Sequence, residues 1–213
     1  MMRSLLFDLD GTLIDSRPGI VAGLHAMLRG LGHQPDTGAD YSWAVGPPLE
    51  QSIGRILTPF GDNRVALASR LYREHYAVHG VLAAELFPGI ATALDGLAGR
   101  QLFVVTSKRE AFARQILDRL RMTPRFVGIH GTMQGGAFDD KAVLLRHVLA
   151  RHAIAPAQAA MIGDRHHDFD AARANGVPSV GVSWGYAQPG ELAGADQVAA
   201  APDGLRTAIA ALN

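Results

Sequence analysis

Two hydrophobic patterns divide the chain. Short apolar runs stand at Leu5-Leu6-Phe7, Leu102-Phe103-Val104-Val105, Phe126-Val127-Gly128-Ile129, Ala160-Met161-Ile162 and Ser179-Val180-Gly181-Val182. Each is too short for an amphipathic helix and ends at polar or glycine-bearing turns, so each predicts a buried strand. Between and after them, apolar residues recur at helical spacing. This predicts helices over 90–97, 110–120, 141–152, 169–174 (closed by Asn175-Gly176) and 203–212, with a further short strand near Gln197-Val198. Strands alternating with helices predict a parallel, doubly wound α/β sheet.

Residues 16–86 follow the other pattern. Ile20, Leu24, Met27, Leu28 and Leu31 recur at helical spacing after Asp15-Ser16-Arg17-Pro18, where Asp15 or Ser16 can cap a helix and Pro18 suits its first turn. Gly32 ends that helix. Two more helices are expected over 48–57 and 63–79, and no convincing strand appears. The predicted organisation is therefore an α/β core formed by residues 1–15 and 87–213, with an all-helical cap, residues 16–86, inserted into it.

Composition narrows the classes. Hydrophobic residues make up 48% of the 213, enough for a substantial core. The formal net charge is zero, so no global basic field would attract nucleic acid or a membrane surface. There is no cysteine, which removes disulfides, thiolate metal sites and a thiol nucleophile. Asp8 and Asp10 interrupt any N-terminal apolar run, and no run approaches the ~20 residues of a membrane helix. The expectation is a soluble, cytoplasmic protein, with monomer and homodimer both open. Arg supplies nearly all the cations; Lys108 and Lys141 are the two lysines. In so Arg-rich a chain a retained Lys suggests a place that needs a compact point charge.

Open α/β sheets bind ligands beyond the carboxyl ends of their strands, and polar groups collect there in this sequence. Asp8 and Asp10 follow the first strand, two residues apart and so on one side of an extended segment. Thr106, Ser107 and Lys108 follow the second. Lys141 opens the helix after the third, and Asp164, Arg165 and Asp168 follow the fourth. Carboxylates, hydroxyls and ammonium groups meeting in one crevice suit Mg²⁺ and a phosphate. Each has a plainer reading. An Asp-x-Asp pair can cap a turn or bind Ca²⁺, Ser107-x-x-Glu110 matches a capping box, and Lys141 can be a solvated helix residue. A helix N-terminus also suits phosphate, so a capping Ser107 and a phosphate site are compatible. The recurrence of such groups behind each strand, in order, favours a common site.

The string DLDGTL after an apolar strand resembles the nucleophile motif of the haloacid dehalogenase superfamily, and VVTS, Lys141 and GDRHHD resemble its later motifs in order. The resemblance covers essentially the whole chain, with LFPG and VGVSWGY closest to phosphoglycolate phosphatase-type proteins. It implies a Rossmann-like core with a helical cap inserted after the first motif. The implied activity is Mg²⁺-dependent hydrolysis of small phosphate monoesters through an aspartyl-phosphate, with 2-phosphoglycolate the leading substrate. A 5′-nucleotidase or other small-metabolite phosphatase is the alternative, and a phosphoglucomutase-like transferase a more distant one. Carried over residue by residue, Asp8 is the nucleophile and Asp10 the general acid and base. Thr106, Ser107 and Lys141 hold the phosphoryl oxygens. Asp8, the Asp10 backbone carbonyl and Asp164 bind the metal, and Asp168 supports them.

His166 and His167 invite a zinc reading, but an all-oxygen Mg²⁺ site needs no imidazole. Within the cap, the Tyr41–Arg55 segment with Gly46 and Glu50 is the candidate specificity loop, and Lys108 a candidate specificity residue beside the phosphate. The competing reading of that segment is an ordinary inter-helix turn. The cap carries no Lys, which disfavours Schiff-base chemistry of the phosphonoacetaldehyde hydrolase kind.

Overall fold

The computed structural model describes residues 2–133, 135–136 and 138–212. Six parallel strands form one sheet in the order β5-β4-β1-β6-β7-β8. They are β1 (Ser4–Phe7), β4 (Gln101–Arg109), β5 (Gly128–Thr132), β6 (Ala159–Gly163), β7 (Ser179–Val182) and β8 (Gln197–Ala199). β1 lies at the centre, with Phe7 opposite Val104 on one side and Ile162 on the other. The sheet is apolar on both faces, as a doubly wound sheet must be. Leu5, Phe7, Val104, Ile162 and Val180 face one core, completed by α6 (Glu110–Arg119) and α9 (Leu205–Ala210). Leu6, Phe103, Val105 and Met161 face the other, completed by α7 (Lys141–Arg151) and α8 (His166–Ala174). α5 (Ile90–Asp95) leads into β4. The strand order turns outward in both directions from β1, so the switch point where such sheets bind ligands falls at the end of β1.

Residues 17–83 form α1 (Arg17–Gly30), α2 (Leu49–Leu57), α3 (Val65–His75), a wide turn over Tyr76–Gly80 and α4 (Val81–Ala83). α1 and α2 both pack on α3. One feature of this segment differs from expectation. Two short strands, β2 (Ile14–Asp15) and β3 (Glu85–Leu86), pair antiparallel, Ile14 opposite Leu86. The helical segment thus leaves and re-enters the α/β part through one two-stranded link. Two residues per strand are too few to show a period, which is why the sequence pattern missed them. Asp15, and not Ser16, supplies the acceptor at the start of α1, taking the Arg17 N–H at 3.1 Å.

Two boundaries also move. β4 continues three residues beyond Thr106 because Arg109 pairs with Thr132 of β5. Arg109 therefore occupies the position before α6, its side chain makes no capping bond, and the capping box that was the plainer reading of Ser107 does not form. β5 begins at Gly128, since Phe126 closes a helical turn and Val127 is exposed. No helix among the described residues is long and apolar enough to cross a membrane.

Candidate active site

The turn after β1 is built to present carboxylates. The Asp8 N–H donates to Ile162 O at 2.8 Å, continuing the strand, and the N–H groups of Thr12, Leu13 and Ile14 fold back on Leu9 O. Gly11, at φ +84°, makes the reversal; this left-handed conformation suits glycine.

Asp8, Asp164 and Asp168 converge here, each buried, with one carboxylate oxygen from each within 4.8 Å of the others. Lys141, from the first turn of α7, lies 2.6 Å from Asp8 Oδ1 and 2.5 Å from Asp168 Oδ1. The second Asp168 oxygen accepts the Arg165 N–H at 3.0 Å, fixing the start of α8. Asp164 accepts the Tyr186 N–H at 2.7 Å. Three glycines make the space. A Cβ on Gly11 would stand 2.1 Å from Asp164 Oδ2, one on Gly185 2.5 Å from Asp164 Cβ, and one on Gly163 2.2 Å from Asp168 Cγ.

The electrostatics of the cluster are unbalanced. Burial pushes the Asp8 carboxyl up to about 7 against the pull of Lys141, with Asp168 and Asp10 adding to the rise. Burial, then Asp168 and Asp8, raises Asp164 well above the ordinary carboxylate range. Burial disfavours the Lys141 ammonium, but Asp168 and Asp8 outweigh it and hold that group charged. Three buried carboxylates around one ammonium leave uncompensated negative charge, which a hard divalent cation would satisfy. The all-oxygen donor set fits Mg²⁺, and none of the three converging groups is a histidine.

Asp10 turns away from this cluster. Both its oxygens meet Lys108 Nζ, at 2.8 and 2.9 Å, and both side chains are buried. The Lys108 ammonium also lies over the Tyr76 ring, 4.7 Å from its centroid. Burial works against this charge too, yet Asp10, Tyr76 and Tyr72 hold its pKa above the usual lysine value. Asp10 and Lys108 line one wall of a cleft of about 330 Å³ between the two parts of the protein. Leu24, Tyr72, Tyr76 and Phe112 give it an apolar and aromatic lining, and Gly46, Glu50, Arg73 and Arg109 give it polar groups. Glu50 and Arg73, both lining it, pair with each other. Thr106 is buried and its Oγ1 accepts the Lys108 N–H at 3.1 Å. Ser107 borders this cleft and also a second one that reaches Lys141.

Two residues given no role from the sequence tie the site to the helical segment. Arg165 pairs with Glu191 through Nε (2.6 Å) and Nη2 (3.1 Å), while Nη1 donates to Val45 O at 2.5 Å. Tyr186, whose N–H holds Asp164, also donates its hydroxyl to Asp15 in the link at 2.5 Å. Their partners lie 171 and 26 residues away in sequence for Tyr186–Asp15 and Arg165–Glu191, so spacing gave no signal. His166 pairs with Glu191 at 2.7 Å and so serves this contact. Trp184 pins the first loop by donating to Thr12 O, and Trp43 stacks under Arg55.

Comparison with known proteins agrees with this geometry. Residues 5–182 match the haloacid dehalogenase-like hydrolase family. A 5′-nucleotidase from Pseudomonas aeruginosa is 38% identical over 192 residues, covering 89% of this chain and 86% of that protein. A phosphoglycolate phosphatase from Chromobacterium violaceum is 31% identical over 209 residues, covering 92% and 90%. The crystal structure of a predicted phosphatase from Clostridium acetobutylicum superimposes with a TM-score of 0.91 at 31% identity, covering 99% of each chain. The chain belongs to the haloacid dehalogenase-like hydrolases and carries their Rossmann-like fold. Within that family it is a phosphatase, a hydrolase of phosphoric monoesters.

Proposed function

We propose that the protein is a Mg²⁺-dependent phosphatase that works through an aspartyl-phosphate on Asp8. The observation that carries this is the buried convergence of Asp8, Asp164 and Asp168 at the end of the central strand, with Lys141 paired to Asp8 and Asp168. Asp8 would attack phosphorus, and the ester bond would break toward the leaving oxygen. Asp10 would give that oxygen its proton, then take one from the water that hydrolyses the aspartyl-phosphate. Lys141, with Thr106 or Ser107, would hold the phosphoryl oxygens. Asp8, Asp164 and the Asp10 backbone carbonyl would hold Mg²⁺, with Asp168 keeping Lys141 and the Arg165 backbone in place. Bound there, the ion supplies positive charge against the repulsion between nucleophile and phosphate. The helical segment 16–86 would act as a cap whose Tyr41–Arg55 stretch faces the leaving group and excludes water.

The cleft supports a sizeable leaving group. Its 330 Å³ lies in the range that encloses a whole small-molecule ligand, and a two-carbon acid would leave most of it to water. Its aromatic walls suit a base, and its Glu50 and Arg73 suit a polar edge. On this ground a nucleoside 5′-monophosphate is the favoured substrate. The specific observation for 2-phosphoglycolate is Arg109, a cation lining the cleft that suits a carboxylate.

Phosphate release with Mg²⁺ from 5′-nucleotides, 2-phosphoglycolate and sugar phosphates tests the reading. The expected result is highest kcat/KM on a nucleotide. A large preference for 2-phosphoglycolate would select the second substrate. An isomerised sugar phosphate without free phosphate would mean a mutase, and no release from any ester would defeat the whole proposal.

A further inference from the structure

We propose that Lys108 is a positioning residue for Asp10, holding its carboxyl group where the leaving oxygen will be. The proposal rests on the reading above, in which Asp10 handles the proton. Lys108 is rigidly presented. Its backbone belongs to β4, its N–H is tied to Thr106 Oγ1, and its ammonium is confined between both Asp10 oxygens and the Tyr76 ring. The ammonium makes two contacts to one carboxylate in a buried setting, so it fixes both the side-chain rotamer and the plane of the carboxyl group.

The pairing also matches what the reaction does to Asp10. As the P–O bond breaks, its electron pair goes to the leaving oxygen. That oxygen takes the Asp10 proton, and Asp10 becomes a carboxylate. A carboxylate in so buried a place is costly unless paired. Lys108 stands opposite the charge as it appears, 2.8 and 2.9 Å from the two Asp10 oxygens. When the attacking water later gives its proton to Asp10, the charge is lost again and Lys108 remains as the anchor. A compact ammonium occupies the space between the Asp10 carboxylate and the Tyr76 ring, a place suited to a point charge in a chain otherwise rich in arginine.

The test is leaving-group dependence. A nitrophenolate departs without a proton, whereas an alkoxide needs one. If Lys108 acts through Asp10, Lys108→Met lowers kcat/KM for an alkyl phosphate at least about tenfold more than for p-nitrophenyl phosphate, within the ~10²–10⁴-fold that a general acid contributes. In an Asp10→Asn background the same substitution adds no further selective loss. Equal losses on both esters, no loss on either, or an undiminished selective effect in the Asp10→Asn background would each overturn the proposal. Should Lys108→Met fail to fold, Lys108→Gln carries the same comparison. Asp8→Asn, run alongside, separates the two claims. Retained turnover there defeats the catalytic reading itself, while an inactive Asp8→Asn with equal Lys108→Met losses defeats only the role of Lys108.

Discussion

Gly185→Ala probes how tightly Asp164, the carboxylate proposed to hold Mg²⁺, is seated. The substitution adds one methyl group against Asp164 and the Gly11 backbone. The backbone there does not need glycine, because Gly185 lies outside the left-handed region. The constraint is space. The new Cβ would stand 2.5 Å from Asp164 Cβ and 2.3 Å from Gly11 O, where ordinary contact begins at 3.4 Å. Neither neighbour is the free end of a flexible side chain, so the Asp164 loop must retreat by close to an ångström. Overpacking of this kind costs ~1–3 kcal/mol of stability, which a domain of ordinary stability survives. The effect on chemistry is larger, since a displacement of ~1 Å near reacting groups can cost ~10²-fold. The expected result is a folded protein with kcat/KM about a hundredfold down and a raised Mg²⁺ requirement. The assay is steady-state phosphate release across a Mg²⁺ titration, with thermal unfolding measured on the same samples. Gly204→Ala is the control: Gly204 has φ −75° and nothing within 4 Å of the added Cβ, and it should be silent. Full activity at ordinary Mg²⁺ in Gly185→Ala would refute the argument that Asp164 is held by the absence of a side chain at Gly185.

Three further predictions follow from other contacts. Arg165→Ala removes the buried partner of an ion pair with half-buried Glu191 and the donor to Val45 O, so denaturant unfolding should show a loss of ~2 kcal/mol, with KM rising most for substrates that fill the cleft; a loss within ~0.5 kcal/mol would mean the contact is slack. His130 is held neutral by burial and by His152, 3.0 Å away, which lower its pKa from 6.5 to about 4. A depressed folded-state pKa means the unfolded chain binds the proton first, so this stability is complete above pH 6.5 and is lost as pH falls toward about 4. Thermal unfolding of the protein should weaken through that window and that of His130→Gln should weaken less; parallel profiles would exclude the pair as the cause. Tyr186→Phe breaks the hydroxyl contact to Asp15 while keeping the N–H to Asp164, so it should leave Mg²⁺ affinity unchanged while speeding hydrogen exchange in the two-stranded link; weakened Mg²⁺ binding would contradict that division.

The sequence made the layout legible because the strands are short apolar runs and the chemistry sits directly behind them. Asp8, Lys141, Asp164 and Asp168 could be expected together for that reason. Pairings across long separations were not legible. Nothing in the spacing of Asp10 and Lys108, 98 residues apart, says that one lysine is committed to that acid while the other serves Asp8. The same holds for Arg165 with Glu191 and for Tyr186 with Asp164. The glycine pattern was a usable signal left unread. Gly11, Gly163 and Gly185 each stand next to or near a site carboxylate, and each leaves room for Asp164 or Asp168. At Ser107 the capping pattern that was its plainer reading gives way to strand pairing between Arg109 and Thr132.

The most direct test of the account is to trap the protein during turnover with a phosphate ester and Mg²⁺ and to map the phosphorylated residue by mass spectrometry. The account predicts an acid-stable, base-labile acyl phosphate on Asp8 that is absent from Asp8→Asn, together with loss of turnover in that variant. Turnover by Asp8→Asn comparable to that of the unaltered protein, with no phosphate on Asp8, would contradict it.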